Sequence, residues 1–316
     1  MLALAINYPS WLRPEIIPGL PIRWYGLMAI LAFFTAYFLY RKQIKERNFP
    51  MSDDNLLSLF CWGILWLLIG ARLFSTLIYD TSGIYLRQPW LIFWPFRNGK
   101  FVGLEGMSYH GGAFFGLLSV IIFAKVKRFS FREIGDMFAA AVPLGFTFGR
   151  LGNFINEELW GRVTTVPWGM IFPKAGDLPR HPSQLYQALF EGIVLWAIIW
   201  FFRNRKPFKG FLVGLYFLGY GFIRFIIEYF RQPDAHLGNN GIRLALGAHP
   251  IFNITTGQIL SFWMIVFGIV WIIICSRLPN REPIRIYSEE NIHPAIDKEE
   301  LKKKQKQQRK LRKKLR

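Results

Sequence analysis

The chain has 316 residues, 52% of them hydrophobic and 17% aromatic, with 39 Lys+Arg against 20 Asp+Glu. Only 19% of residues are charged, below the quarter usual in soluble domains, and these charges are bunched between long apolar stretches. An ordinary soluble domain is excluded. The bilayer is the expected solvent, because apolar runs of roughly 17–24 residues match a ~30 Å hydrocarbon layer at ~1.5 Å per residue.

From the N-terminus, Met1–Leu12 carries no basic n-region, its first cation being Arg13, and Asn7, Pro9 and Ser10 break its apolar stretch. No cleavable signal peptide is expected there. Seven spans are predicted at about 24–40, 56–79, 108–124, 134–150, 183–202, 211–229 and 257–276. The fold class is therefore an all-α integral membrane protein. Its domain of seven transmembrane helices covers residues 1–280, with a small periplasmic head segment at about 151–182, and a basic tail occupies 281–316. Cys61 and Cys275 both lie inside apolar runs, so neither a disulfide framework nor a thiolate metal site is expected, and no cofactor is implied.

Charge sets the orientation. Arg41, Lys42, Lys45 and Arg47 follow the first span, Lys125, Lys127, Arg128 and Arg132 the third, and Arg203, Arg205, Lys206 and Lys209 the fifth. With the tail from Arg277 onward, these alternate loops hold two thirds of the 39 Lys+Arg. Short basic loops resist translocation, so the N-terminus is expected outside and the C-terminus in the cytoplasm. The tail block Lys298–Arg316 has too few apolar residues to form a core and is expected near anionic lipid head groups, at roughly 1 kcal/mol per cation. No aromatic interleaving or nucleic-acid motif accompanies its charge, and no nucleic acid partner is expected.

Ionisable residues inside spans are costly and mark function by default. In the predicted topology they gather on the outer side. Tyr25 opens the first span, Arg72 lies in the outer half of the second, His110 begins the third, and Arg150 ends the fourth at the outer surface. Glu191 sits a few turns inside the fifth. Tyr220, Arg224, Glu228 and Arg231 follow one another on the sixth at spacings of four, four and three, which line one helical face. Arg224 and Glu228 read either as a self-neutralising i,i+4 pair or as part of an anion site. Arg72, Arg150, Arg224 and Arg231 outnumber the nearby Glu158, Glu191 and Glu228, so an anionic ligand would restore balance.

The sharpest constellation is G-R-L-G-N-F-I-N-E-E-L-W-G, Gly149–Gly161. It reads as an exit turn whose Asn153 and Asn156 cap backbone groups, or as a phosphate-ester site in which the Arg150 fork grips oxygens and the amides orient the ester beside Glu157 and Glu158. The glycines of His110–Gly112 admit close approach by a ligand or by a neighbouring helix. R-H-P-S-Q-L-Y, Arg180–Tyr186, leads into a helix N-terminus, with Gln184 and Tyr186 read as interfacial anchors. These residues admit an anionic-lipid transporter or another phospholipid head-group enzyme. Polar residues reaching one face only argue against the transporter.

The Gly149–Gly161 segment, with I-R-W-Y-G-L (Ile22–Leu27), H-G-G, H-P-S-Q-L-Y and R-F-I-I-E-Y-F-R-Q-P-D (Arg224–Asp234) in that order, resembles the bacterial prolipoprotein diacylglyceryl transferases over most of the chain. The resemblance implies a multi-pass enzyme of the bacterial inner membrane. Such an enzyme moves the diacylglyceryl group of phosphatidylglycerol onto the lipobox cysteine of a prolipoprotein signal peptide, forming a thioether and releasing glycerol phosphate. It implies functional roles for Tyr25, His110, Arg150, Asn153, Glu158, Gly161, Tyr220, Arg224 and Glu228. The expected catalytic set is His110, Arg150, Arg224, Tyr220 and Glu228. The expected substrate-binding set is Tyr25, Arg150, Asn153, Asn156, Glu158, Gly161 and Arg231. By the same resemblance, Glu157 stands where related sequences often have Gly or another residue.

Overall fold

A computed structural model of the chain describes residues 5–19, 22–97, 100–101, 106–232 and 255–278. The basic tail lies outside the described residues. The structure is mostly helical: α1 (Trp24–Glu46), α2 (Asp53–Phe74), a short α3 (Ile84–Arg87), α4 (Tyr109–Val126), α5 (Phe131–Ile155), α6 (Ser183–Gln187), α7 (Leu195–Phe202), α8 (Phe211–Ile227) and α9 (Thr256–Arg277). A π-helical stretch, Ala188–Val194, joins α6 to α7, and another, Ser75–Tyr79, prolongs α2. Each predicted span thus coincides with one helix or one continuous helical run. Three runs have the length and apolarity to cross a membrane outright: Asp53–Tyr79, Ser183–Phe202 and Gly257–Arg277. The all-α expectation needs one amendment, because two pairs of two-residue strands are present. β1 (Ile6–Asn7) pairs in parallel with β4 (Met170–Ile171), and β2 (Phe96–Arg97) pairs antiparallel with β3 (Lys100–Phe101).

The described residues fall into two compact units. The first comprises residues up to 43 and 124–278, and the second comprises 44–123. In the first, Ala139, Ala140, Leu195, Ile199, Leu212 and Tyr220 form a buried core shared by α5, α7 and α8. Helix α8 meets α9 through small residues. A Cβ at Gly214 would strike Ile272 and the Gly268 carbonyl, and one at Gly221 would strike the Ser261 carbonyl. Where lipid replaces water, such close backbone approach supplies the dispersion energy that hydrophobic burial no longer gives. Near the start of α5, the fully buried Asp136 carboxylate accepts from Lys206 Nζ (2.7 Å) and from the backbone N–H groups of Gly210, Leu212 and Val213, so it caps α8.

The far end of α5 passes the predicted boundary at 150 and continues to Ile155, with Asn156 as its C-cap. Tertiary contacts make this possible. The Tyr8 hydroxyl donates to the carbonyls of Phe154 (3.2 Å) and Ile155 (3.1 Å), which a helix end leaves unsatisfied. Burial, and next the negative charge of Glu157, push the Tyr8 phenol up to about 12, so it remains a neutral donor. Tyr8, Met170 and Phe172 form a second small core beneath the β1–β4 pair.

In the second unit, α2 and α4 cross at Gly70 and Gly111. A Cβ on either would collide with the carbonyl of the other. The glycines of H-G-G therefore serve helix packing. Arg72, grouped by sequence with the arginines awaiting an anion, instead donates to the carbonyls of Leu91, Ile92 and Gly106 and lies over the Tyr85 ring. It pins the segment between α2 and α4, a role its charge alone does not reveal.

Candidate active site

Continuation of α5 places Arg150 and Asn153 one turn apart on one face. Arg150 Nη1 donates to Asn153 Oδ1 (3.2 Å), and Asn153 Nδ2 donates to Glu158 Oε1 (2.8 Å), which also accepts from Asn156 Nδ2 (3.3 Å). The Arg150 guanidinium rests 4.6 Å from the Phe146 ring centroid, and Tyr220 meets that same ring edge-on. Arg150 is thus held at the end of a chain of amides that ends on a carboxylate, with its Nε buried and without a hydrogen-bond partner among the described residues.

The two adjacent carboxylates separate in role. Glu157 has φ of 53°, in the left-handed region that glycine adopts most readily. Its side chain turns to accept from the Lys174 backbone N–H (3.3 Å), while Glu158 turns toward Asn153. Leu159, at φ 58°, completes the tight descent to Gly161. There the chain passes between two backbones. The Gly161 N–H donates to His181 O (2.9 Å), Gly161 bridges to Arg231, and a Cβ would sit 2.5 Å from Phe230 O and 2.6 Å from His181 O. Gly161 is required by space.

The sixth predicted span contributes a second ionic chain. Arg224 pairs with Glu191 (3.4 Å) and with Glu228 (3.2 Å), and Arg231 reaches Glu228 at 3.9 Å. Thr255, the N-cap of α9, donates to Glu228 Oε1 (3.3 Å), and Gly257 leaves room for that carboxylate. Both carboxylates are buried, Glu191 at 1% and Glu228 at 3% exposure. Arg224 is therefore no isolated i,i+4 pair but a bridge between two acids. Arg150 lies within electrostatic range of Glu191, Tyr220, Arg224 and Arg231. Tyr25, at the first turn of α1, packs its ring against Gly152 of α5.

His110 belongs to the second unit. It opens α4 with an exposed ring whose Nδ1 lies 3.2 Å from the Tyr79 hydroxyl, on the π-helical extension of α2. Sequence reasoning passed over Tyr79 because a tyrosine at a span end reads as an interfacial anchor. The same bias affected Gln184. It is fully buried, and its Nε2 donates to Glu158 O (2.7 Å), so the anchor reading is overturned. Tyr186 accepts from Trp168 Nε1 (2.7 Å) and contacts His181 Nδ1 (3.2 Å). Burial lowers the pKa of His181, a residue outside the spans, so its ring is neutral at physiological pH.

A family model described as prolipoprotein diacylglyceryl transferase matches residues 15–274. The phosphatidylglycerol–prolipoprotein diacylglyceryl transferase of Treponema denticola is 50% identical to this chain, covering 86% of it and 94% of that protein. The protein of the same name from Treponema pallidum is 45% identical over 89% of this chain and 98% of its own length. That of Chlorobaculum tepidum is 44% identical over 84% and 91% respectively. With its arginines, amides and buried acids in place, the chain belongs to the prolipoprotein diacylglyceryl transferase family of multi-pass membrane enzymes.

Proposed function

We propose that this enzyme transfers the diacylglyceryl group of phosphatidylglycerol to the lipobox cysteine of prolipoproteins at the outer face of the bacterial inner membrane. It spans that membrane seven times, with the N-terminus outside and the C-terminus in the cytoplasm. The observation that carries the assignment is the pair of linked arginines, Arg150 on its amide chain and Arg224 between two buried acids, within a chain of this family.

The thiol sulfur attacks the glyceryl carbon that bears the phosphate. A C–S bond forms, the C–O bond breaks with its electron pair leaving on oxygen, and glycerol phosphate departs. Negative charge grows on the leaving phosphate, so Arg150 and Arg224 stabilise the transition state more than the ground state. Asn153 and Asn156 orient the ester, Glu158 fixes the amides, and Glu228 with Glu191 fixes Arg224. Tyr220 and Tyr25 flank the head group, and Gly161 and Arg231 shape its outer wall. His110 takes the thiol proton on an imidazole nitrogen lone pair, the usual side-chain acceptor in general base catalysis. Both substrates carry hydrocarbon and enter sideways from the bilayer.

The test is mass spectrometry of a lipobox peptide incubated with the purified protein and phosphatidylglycerol, beside a Cys→Ser peptide. A diacylglyceryl mass gain on the Cys peptide alone is expected. Folded protein that binds phosphatidylglycerol yet forms no adduct refutes the proposal and points to another head-group activity.

A further inference from the structure

Four buried polar side chains fall on the helical run that follows His181, and the reaction as described uses only part of them. Ser183, Gln184 and Gln187 are fully buried, and Glu191 is 1% exposed. Ser183 is satisfied by Leu159 O. Gln184 donates to Glu158 O but its Oε1 is unpaired, Glu191 binds Arg224 through Oε1 but its Oε2 is unpaired, and Gln187 has no partner for either Oε1 or Nε2 among the described residues. Buried amides and carboxylates almost always find partners, and each exception asks for a missing group. Gln187 is placed to meet one. It lies on the helical stretch between Gln184, which joins the Arg150–Asn153–Glu158 chain, and Glu191, which joins the Arg224–Glu228–Arg231 chain.

The chemistry of the unmet atoms identifies the ligand group. Gln184 Oε1, Gln187 Oε1 and Glu191 Oε2 are all acceptors. A phosphodiester and the two acyl esters of a phospholipid bring acceptors only, and cannot satisfy them. An alcohol brings a donor together with an acceptor, and the acceptor side suits Gln187 Nε2. We infer that Gln187, with Glu191 and Gln184, reads the free hydroxyls of the donor lipid's terminal glycerol, and so selects a polyol head group over other anionic diesters. The inference rests on the transferase reading above. Gln187 is a specificity residue: it holds the departing head group, and the arginines hold the phosphate.

The experiment compares two donors with full-length protein and a lipobox peptide: phosphatidylglycerol, and phosphatidylethanol, which keeps the charged diester but has no head-group hydroxyl. Wild-type kcat/KM should favour phosphatidylglycerol by roughly tenfold to a hundredfold, the range expected when buried polar groups lose their hydrogen-bond partner. Gln187→Leu should narrow that ratio about tenfold or more through loss with phosphatidylglycerol, whereas Gln187→Glu, which keeps acceptors, should retain a preference. A merely structural glutamine would lower both donors together. Equal use of the two donors by wild-type protein overturns the inference without need of a variant, as does an undiminished ratio in folded Gln187→Leu. Absence of transfer from both donors would refute the transferase reading instead.

Discussion

Three glycines in the Gly149–Gly161 segment give one substitution with three different consequences. At Gly161 a new Cβ would lie 2.5 Å from Phe230 O, 2.6 Å from His181 O and 2.7 Å from His181 Cβ. The closest of these is about 0.9 Å inside an ordinary carbon–oxygen contact of ~3.4 Å, and two of the obstacles are backbone. Neither can rotate away, so Gly161→Ala must part the crossing. Overpacking of this kind costs about 1–3 kcal/mol, and weakening the Gly161 N–H to His181 O bond adds ~1 kcal/mol. At Gly149 nothing lies within 4 Å, so Ala should cost nothing and add up to about 1 kcal/mol of helix propensity. Gly152→Ala meets the Tyr25 ring most closely, Cδ2 at 2.9 Å, with Tyr25 Cα at 3.4 Å and Met28 Cβ at 3.5 Å in ordinary contact, and should lower transfer more than stability. The assay is thermal unfolding in detergent beside diacylglyceryl transfer at matched protein. Gly161→Ala should melt well below wild type, and Gly149→Ala at or above it. Equal melting of the two variants would refute the steric argument.

Other expectations follow from the same contacts. Arg150→Ala should abolish transfer while the fold assembles, because it hydrogen-bonds the Asn153 amide and forms no close ion pair with a buried acid among the described residues; retained turnover in folded protein would rule out the phosphate clamp. Arg224→Ala should instead destabilise by about 3–5 kcal/mol, since buried Glu191 would lose its ion pair and buried Glu228 would keep only the longer one to Arg231, and its melting point should fall far more than that of Arg150→Ala. Asp136→Asn removes the charge that four donors address and should cost about 2–4 kcal/mol in thermal unfolding, with specific activity of the folded fraction retained. His181 has a folded pKa below its unfolded value, so the unfolded state binds the extra proton. Its contribution is fully present above pH ~6.5 and is lost as pH falls through the lowered folded pKa. Wild-type melting should therefore drop below pH ~6.5 more steeply than that of His181→Gln, and parallel curves would contradict the assignment.

The seven helical runs were legible because a bilayer demands long apolar segments, and composition alone records them. Helix ends were less so. Sequence placed the end of the fourth span at Arg150 because Gly152, Asn153 and Asn156 resemble an exit turn, yet α5 runs to Ile155 on a cap supplied by Tyr8, nearly 150 positions away. The polar clusters of Gly149–Gly161 and of the sixth predicted span were visible through spacing. What spacing could not supply was the second partner of Arg224, since Glu191 comes from another helix. Gln184 and Gln187 were hidden for a different reason: an amide near a span end looks wet, and only packing reveals that both are buried. Arg72 was misjudged because backbone carbonyls, which leave no mark in sequence, satisfy it.

The π-helical stretches at Ser75–Tyr79 and Ala188–Val194 each widen a turn, and so act as phase shifters along their helices. One residue is worth about 100° of rotation in a regular helix. Deleting a single residue from Ala188–Val194 would restore regular winding, but then Glu191 and the buried pair Leu195 and Ile199 could no longer face their partners at once. The extra residue lets the outer piece of the helix be aimed by chemistry and the inner piece by apolar packing. Length at this place is therefore under stricter constraint than identity: substitutions between Ala188 and Val194 can be absorbed one by one, whereas a one-residue deletion must turn one half of the helix away from its purpose.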